Sequence, residues 1–249
     1  MGHDKAASSG RFALPAALGA LPTGAAKVTV DLLGRRIASD VYRPGEIMPT
    51  EAELATSLNV SRATIRDAIK VLSGKGLVRT ARRYGTRVRP VEEWNLLDAD
   101  VVSWHEHSHP RLVAMFSETT ELRSLIEPGA AALAAERATP EQAATILAAA
   151  QDLRPDQTDL AQLFEADCRF HATILEATGN LMMVQLRPLI LTMLGIAYEY
   201  GGAGSDVTVT RQGHVDVAEA IAARDPEGAR RAMQVMLDGN RRVAEATQV

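Results

Sequence analysis

Cysteine is all but absent. Cys168 is the one thiol in 249 residues, which excludes a disulfide-stapled scaffold and fits a reducing compartment, so a cytoplasmic location is expected. Aromatic side chains make up 4% of the chain, while alanine and leucine abound, a balance that favours helices over sheets. No run of 18 or more apolar residues occurs, which excludes a membrane-spanning helix. The mildly apolar stretch 12–21 is broken by Pro15 and lacks a convincing basic leader, so it does not read as a secretory signal. The opening Met1-Gly2-His3-Asp4-Lys5-Ala6 lacks the Ser or Thr of a myristoylation site. Apolar residues nonetheless reach 46%, ample for packed cores, and the length predicts two domains at about 150 residues each.

The formal net charge of −4 hides a sharp asymmetry. Between Ser61 and Pro90 stand nine bases (Arg62, Arg66, Lys70, Lys75, Arg79, Arg82, Arg83, Arg87, Arg89) and one acid, Asp67, a balance of +8. Residues 1–60 set six bases against six acids, which leaves −12 on residues 91–249. A basic block on an acidic chain is the footprint of a polyanion-binding module joined to a different body.

Four regions follow along the chain. Residues 1–24, rich in Gly, Ser and Pro, read as a disordered arm. Residues 25–90 read as a DNA-binding domain. Val30, Leu33 and Ile37 share one helix face. Thr50 with Glu53 forms a capping box for a second helix, and Asn59-Val60 forms a tight turn. Ser61 caps a third helix, whose inner face is Ile65, Ala68, Ile69 and Leu72. Two short strands around Val78–Thr80 and Thr86–Val88 flank the tip Arg82-Arg83-Tyr84-Gly85. Helix, helix, turn, helix, hairpin is a winged helix-turn-helix. Residues 91–109 read as a linker. Residues 110–249 carry helical stretches at 110–137, 140–151, 157–178, 181–199, 207–224 and 226–246, and short loops between them predict an antiparallel all-α bundle. The fold class is therefore mainly α, with one small β-hairpin.

On the third helix Arg62, Arg66 and Lys70 recur every four residues, opposite the apolar face. A helix so built packs its apolar side on the domain and offers its cations to the major groove, where the planar fork of arginine bonds guanine O6 and N7 together. Ser61, Ala63 and Thr64 are short enough for close backbone approach. The stretch from Arg43-Pro44-Gly45 through Pro49-Thr50-Glu51-Ala52-Glu53-Leu54-Ala55, Val60–Ile69 and Gly76-Leu77-Val78 to Gly85-Thr86-Arg87-Val88 resembles the GntR family of bacterial transcription regulators. The resemblance implies operator contacts from Thr50, Glu51, Ser61, Arg62, Ala63, Thr64 and Arg66. The wing residues Arg82, Arg83, Tyr84 and Gly85 would add to them. Some relatives carry an arginine where Ala52 stands, so one contact is absent here.

In the helical region Asp167 and His171 lie four residues apart on a stripe with Leu160, Phe164, Ile174 and Thr178, facing the interior. His214 shares a face with Val217, Ala218 and Ile221. A buried carboxylate is costly unless paired or metal-bound. The three residues fit either a site for Zn²⁺, Mn²⁺ or Ni²⁺ or a hydrogen-bonded pair that stabilises the core. Arg123 faces inward with Leu112, Phe116, Thr119 and Ile126, where its fork would grip a carboxylate or pair with Glu127. Residues 111–240 resemble the FCD effector domain of the FadR-like GntR subfamily through Glu121-Leu122-Arg123, Glu127-Pro128, Ala134–Ala138, Glu165-Ala166-Asp167, Phe170-His171, Gly179-Asn180 and Gly213-His214. That resemblance implies a divalent metal on Asp167, His171 and His214, and effector contacts from Arg123 and Asn180. The fourth histidine of the family pattern falls at Met236, a poor ligand for a hard metal. Trp94–Val101 and Pro110-Arg111-Leu112 are similar to the sugar-acid-responsive members of the subfamily. The run His105-Glu106-His107-Ser108-His109 has the look of a metal cluster, but Pro110 follows it and the family places its pocket elsewhere.

The expected function is a homodimeric, ligand-responsive repressor. It would bind a pseudo-palindromic double-stranded operator and be released by a small carboxylate of the aldonate kind, with no enzymatic activity. Two alternatives stand beside it: a metal-dependent enzyme built on Asp167, His171 and His214, and a DNA-binding protein whose helical domain is purely structural.

Overall fold

The computed structural model describes residues 24–106, 109–153, 159–201 and 211–246. Apart from Gly24, the arm expected at 1–24 lies outside the described residues. The chain divides into two compact units that meet in sequence at His109 and Pro110.

In the first unit α1 (Ala25–Ala38) buries Val30, Leu33 and Ile37 completely. Helix α2 (Glu51–Leu58) begins on the expected capping box. Thr50 Oγ1 accepts the Glu53 N–H at 3.3 Å, and the Glu53 carboxylate accepts the Thr50 N–H at 2.8 Å. It ends at Asn59, which takes the left-handed conformation (φ 52°) that its short side chain tolerates. Helix α3 (Arg62–Gly74) is capped by Ser61, whose hydroxyl accepts the Thr64 N–H at 3.0 Å. Ile65, Ala68, Ile69 and Leu72 pack it inward. Strands β1 (Val78–Ala81) and β2 (Gly85–Val88) pair antiparallel, with Val78 opposite Val88. Gly85, at φ 73°, closes the three-residue tip in a conformation that costs a residue with a Cβ. A third edge joins along residues 45–48: Met48 N–H donates to Thr86 O, and Val88 N–H to Glu46 O. Four residues that begin on the glycine of a Pro-Gly turn carry no strand signal, so nothing announced them.

The segment 91–109, expected as a linker, is instead built into this unit. A 3₁₀ turn (Val91–Glu93) and α4 (Ala99–Ser103) bring Trp94, Val101 and Trp104 into the same core as α1 and α3. Trp104 lies against Gly34, where a Cβ would stand 2.4 Å from the indole ring, so α1 accepts this tryptophan because position 34 is glycine. Its Nε1–H donates to Asp31 Oδ1 at 3.1 Å. At the end of α3 the buried Lys75 ammonium is held at 2.7 Å by both Asp98 and Asp100. The acids and apolar residues of 91–109 follow no helical or strand period, which is why the stretch reads as a connection.

The second unit consists, among the described residues, of α5 (Pro110–Arg137), α6 (Pro140–Asp152), α7 (Leu160–Ala177), α8 (Leu181–Gln185), α9 (Arg187–Gly201), α10 (Arg211–Ala222) and α11 (Pro226–Ala246). Helix α5 packs against α7, α9, α10 and α11, while α6 packs against α7 and α10. Fully buried Ala130, Ala131, Ala134 and Ala135 let helices approach α5 closely. Thr139 caps α6 through a capping box with Gln142, and Pro140 occupies its first turn. The single helix expected at 181–199 is broken at Leu186, because Pro188 offers no N–H to the carbonyl of Val184. Leu160, expected inward, is 44% exposed at the start of α7. No described helix is long and apolar enough to cross a membrane.

Both tryptophans of the chain lie in the first unit, so their fluorescence reports on it alone. Replacing Trp104, 1% exposed, by Ala is expected to destabilise that unit by about 3–5 kcal/mol. Urea unfolding of the full chain, followed by Trp94 fluorescence, measures this. An unmoved midpoint would restore the linker reading of 91–109.

Candidate functional site

Two constellations stand out, one exposed on the first unit and one buried in the second. On α3, Arg62, Arg66 and Lys70 project from the solvent side in one line. They differ in restraint. Arg66 is gripped by Glu51, across from α2, with Nη2 at 2.9 Å from Oε2 and Nε at 3.4 Å from Oε1. Lys70 pairs with Asp67 at 3.1 Å, whereas Arg62 makes no ion pair among the described residues. The hydroxyls of Thr50, Ser61 and Thr64 serve the helix caps: Thr50 Oγ1 lies 2.8 Å from Glu53 Oε2, and Ser61 and Thr64 share a bond of 2.8 Å. Ala63 is exposed beside them. At the wing Arg82, Arg83 and Gly85 are exposed, and Tyr84 stands 71% exposed at the tip. All the residues expected to touch DNA thus lie in the N-terminal turns of α2 and α3 or at the wing tip.

The second constellation joins α5, α7 and α10. Arg123, Glu127, Asp167, His171 and His214 are all buried. Arg123 Nε donates to Glu127 Oε1 at 2.6 Å, and the other Glu127 oxygen accepts from His171 Nδ1 at 2.6 Å. His171 Nε2 lies 3.3 Å from Asp167 Oδ1 and 3.3 Å from Arg123 Nη2. His214 Nε2 reaches the same Asp167 oxygen at 3.1 Å. The ring of Phe170 stands edge-on to both imidazoles, with centroids 5.0 and 4.8 Å away.

Burial alone would raise both carboxylates and lower the imidazole, but the contacts outweigh it. Arg123 and His171 bring Glu127 down to about 2. Hydrogen bonds from His171 and His214 hold Asp167 well below the usual carboxylate range. Glu127 and Asp167 lift His171 to about 9. Burial first, and Asp167 second, push the Cys168 thiol up to about 12, so this cysteine is an inert neighbour rather than a nucleophile.

The donor atoms of Asp167, His171 and His214 lie within 4.8 Å of one another. Donors on one ion at about 2.0–2.2 Å stand roughly 3.3 Å apart in a tetrahedron, which the two Asp167–imidazole distances match. The residues present therefore fit a divalent transition metal. Met236, at the family's fourth position, is buried in the apolar core of the unit. Asn180 caps α8, its Oδ1 accepting the Met182 N–H at 2.9 Å. Of the histidine-rich run, His105 Nδ1 bonds Val101 O at 2.9 Å and His109 Nε2 lies 3.4 Å from Asp40; His107 lies outside the described residues. Glu127 is the functional residue the sequence undersold: its spacing from Arg123 announced one pairing, but nothing local announced His171.

Comparison with known proteins matches residues 25–88 to the model described as bacterial regulatory proteins, gntR family, and residues 118–239 to the FCD domain. The chain belongs to the GntR family. It is similar to the galactonate operon transcriptional repressor of Escherichia coli (strain K12), 34% identical over 220 residues, or 86% of this chain and 95% of that one. It is also similar to the HTH-type transcriptional repressor NanR of Cronobacter sakazakii, 31% identical over 79% of this chain and 76% of that one. Among solved structures, its fold is shared by Lar, which controls the agr system of Listeria monocytogenes (TM-score 0.58, 19% identity, 90% and 98% covered). E. coli McbR/YncC shares it too (TM-score 0.51, 17% identity, 92% and 100% covered). As a GntR regulator with an FCD domain, the protein binds DNA and answers to a small-molecule effector, and the metal-dependent enzyme reading is not supported.

Arg123 and Glu127 form a buried ion pair whose halves depend on each other. Arg123→Met alone leaves Oε1 of the buried carboxylate without its cation, with His171 still holding Oε2, and is expected to cost about 3 kcal/mol. Arg123→Met with Glu127→Met should cost less than the sum of the single changes. Full additivity in denaturant unfolding would show the pair to be uncoupled.

Proposed function

We propose that this GntR regulator is a repressor that grips a pseudo-palindromic operator as a homodimer and lets go when a small sugar acid occupies the buried site of its second unit. The observation that carries the reading is Arg123 buried beside three metal-type donors. Asp167, His171 and His214 would hold Zn²⁺, Mn²⁺ or Ni²⁺, which when bound supplies positive charge and an open coordination position for an anion. Glu127 accepts the Nδ1–H of His171, which leaves Nε2 as the ligating atom and fixes the ring, as carboxylates behind metal-bound histidines do. Binding the ion would displace the Nε2 proton of His171, and two positive charges on the ion and one on Arg123 would then face one negative charge each on Glu127 and Asp167. One positive charge is left over, and a monocarboxylate closes it. The Asn180 amide N–H₂, with its oxygen committed to the α8 cap, remains to donate to the effector. The galactonate operon repressor among the relatives supports an aldonate.

Arg62, Arg66 and the wing Arg82-Arg83-Tyr84 would read and clamp the operator, with Thr50, Ser61, Ala63, Thr64 and Gly85 letting the backbone close on phosphate and Glu51 acting through Arg66. A homodimer fits because operator symmetry mirrors protein symmetry. Release requires a coupling of only about 1–3 kcal/mol between effector and DNA, or roughly 5- to 150-fold in affinity.

Thermal-shift titration of the full chain with galactonate and related sugar acids, with and without a chelator, tests the sensor. A stabilising shift that the chelator abolishes is expected. His214→Ala should remove it, and Glu127→Gln should weaken metal binding about 10- to 100-fold. A shift indifferent to both chelator and His214→Ala would remove the metal from the site, and no shift with any sugar acid would return the helical unit to a structural role.

A further inference from the structure

We propose that Glu51 is a positioning residue for DNA reading: by holding one edge of the Arg66 guanidinium, it aims the other edge at a guanine. The inference rests on the reading that α3 enters the major groove. Four of the five N–H groups of a guanidinium form two usable edges, one from Nε and Nη2, the other from Nη1 and Nη2. Glu51 occupies the first, with Oε1 on Nε at 3.4 Å and Oε2 on Nη2 at 2.9 Å. The second edge is left whole, and it is the one that meets guanine O6 and N7 end-on.

Glu51 is well placed to do this. It is the first residue of α2, whose start is fixed by the Thr50–Glu53 capping box, so its carboxylate rises from an anchored backbone. Arg66 sits in the second turn of α3, fifteen residues away in sequence. The pair therefore crosses the helix-turn-helix and is no accident of local spacing. Both side chains remain substantially open, at 60% and 35% exposure. An exposed pair adds little stability, and a carboxylate inside a basic surface opposes phosphate binding. A net benefit thus has to lie in orientation: an arginine tied to Glu51 is denied the freedom to fold onto the nearest phosphate. Arg62 on the same face, without an ion pair among the described residues, keeps that freedom.

The consequence has opposite signs for the two kinds of DNA. Glu51→Ala removes a negative charge and frees Arg66, so the full-length variant should bind a scrambled duplex more tightly. Its log K against log salt should steepen by about 0.9 for each further phosphate that the protein neutralises. Its preference for guanine at the position read by Arg66 should fall about 5-fold or more. The sites come from selection of the wild-type chain on a randomised duplex library, and both variants are then measured on the selected and scrambled duplexes. Glu51→Gln, which keeps the shape and loses the charge, should fall between. In an Arg66→Lys background, which retains charge without a fork, Glu51→Ala should no longer alter the base preference. Unchanged melting of the variants separates these effects from loss of folding.

Equal loss of preference in the wild-type and Arg66→Lys backgrounds would mean that Glu51 touches DNA by itself, and would overturn the proposal. So would an unchanged preference in Glu51→Ala while Arg66→Ala loses it. If Arg66→Ala itself bound the selected site as wild type does, the groove reading of α3 would fall instead.

Discussion

The second unit depends on the two oxygens of Glu127. One takes Arg123 and the other takes His171, at 2.6 Å each, so a single carboxylate joins the cation of α5 to the donor group of α7. Inside a helical bundle a charge without a partner costs several kcal/mol, and five ionisable groups here answer one another. Remove Glu127 and Arg123 loses its ion pair while His171 loses its partner at Nδ1 and keeps Asp167 at Nε2. The alanine stripe of α5 makes this burial achievable, because small side chains bring the helices close enough for side chains on three of them to meet. Phe170, edge-on to both imidazoles, closes the group against the core.

The first unit uses charge in the contrary manner. Its core is completed by residues after the winged helix proper: Trp104 seated on Gly34, Trp94 beside α3, and Lys75 clamped between Asp98 and Asp100. That buried ammonium is the cation of the basic block that the core encloses; Arg89 is half-buried against Glu93, and the others are exposed where they can exchange water and counterions for phosphate. A rigid body under α3 matters for this exchange, because side chains that read base edges must arrive in register.

Much of this was legible from the residues. The capping box at Thr50, the Asn59 turn, the Ser61 cap and the Gly85 tip are local chemistry, and local chemistry writes itself into short stretches of sequence. The inward stripes of α7 and α10 predicted that Asp167, His171 and His214 would be buried, and their periodicity sufficed to say so. What stayed hidden depends on partners distant in sequence. Glu51 and Arg66 are joined across a turn, Glu127 and His171 across two helices, and Trp104 finds Gly34 seventy residues back; no window of neighbouring residues contains either half of the reason. The edge at 45–48 was hidden differently: its hydrogen bonds belong to the backbone, which every residue carries.

Arg123 and Arg66 each hold a glutamate along the Nε–Nη2 edge, with Arg123 Nη2 3.5 Å from Glu127 Oε2, and the solvent decides what each pairing is for. Arg123 and Glu127 are shut away from water, so their attraction is weakly screened and hard to replace. An incoming anion can claim part of that guanidinium only by offering an equally good acceptor while Glu127 keeps His171. Arg66 and Glu51 stand in a screened, hydrated setting where the same contact contributes little free energy. There it restricts direction more than it stabilises, and DNA meets a side chain already turned to face it. One pairing is suited to resist exchange and the other to take on a further partner, and that difference follows from burial alone.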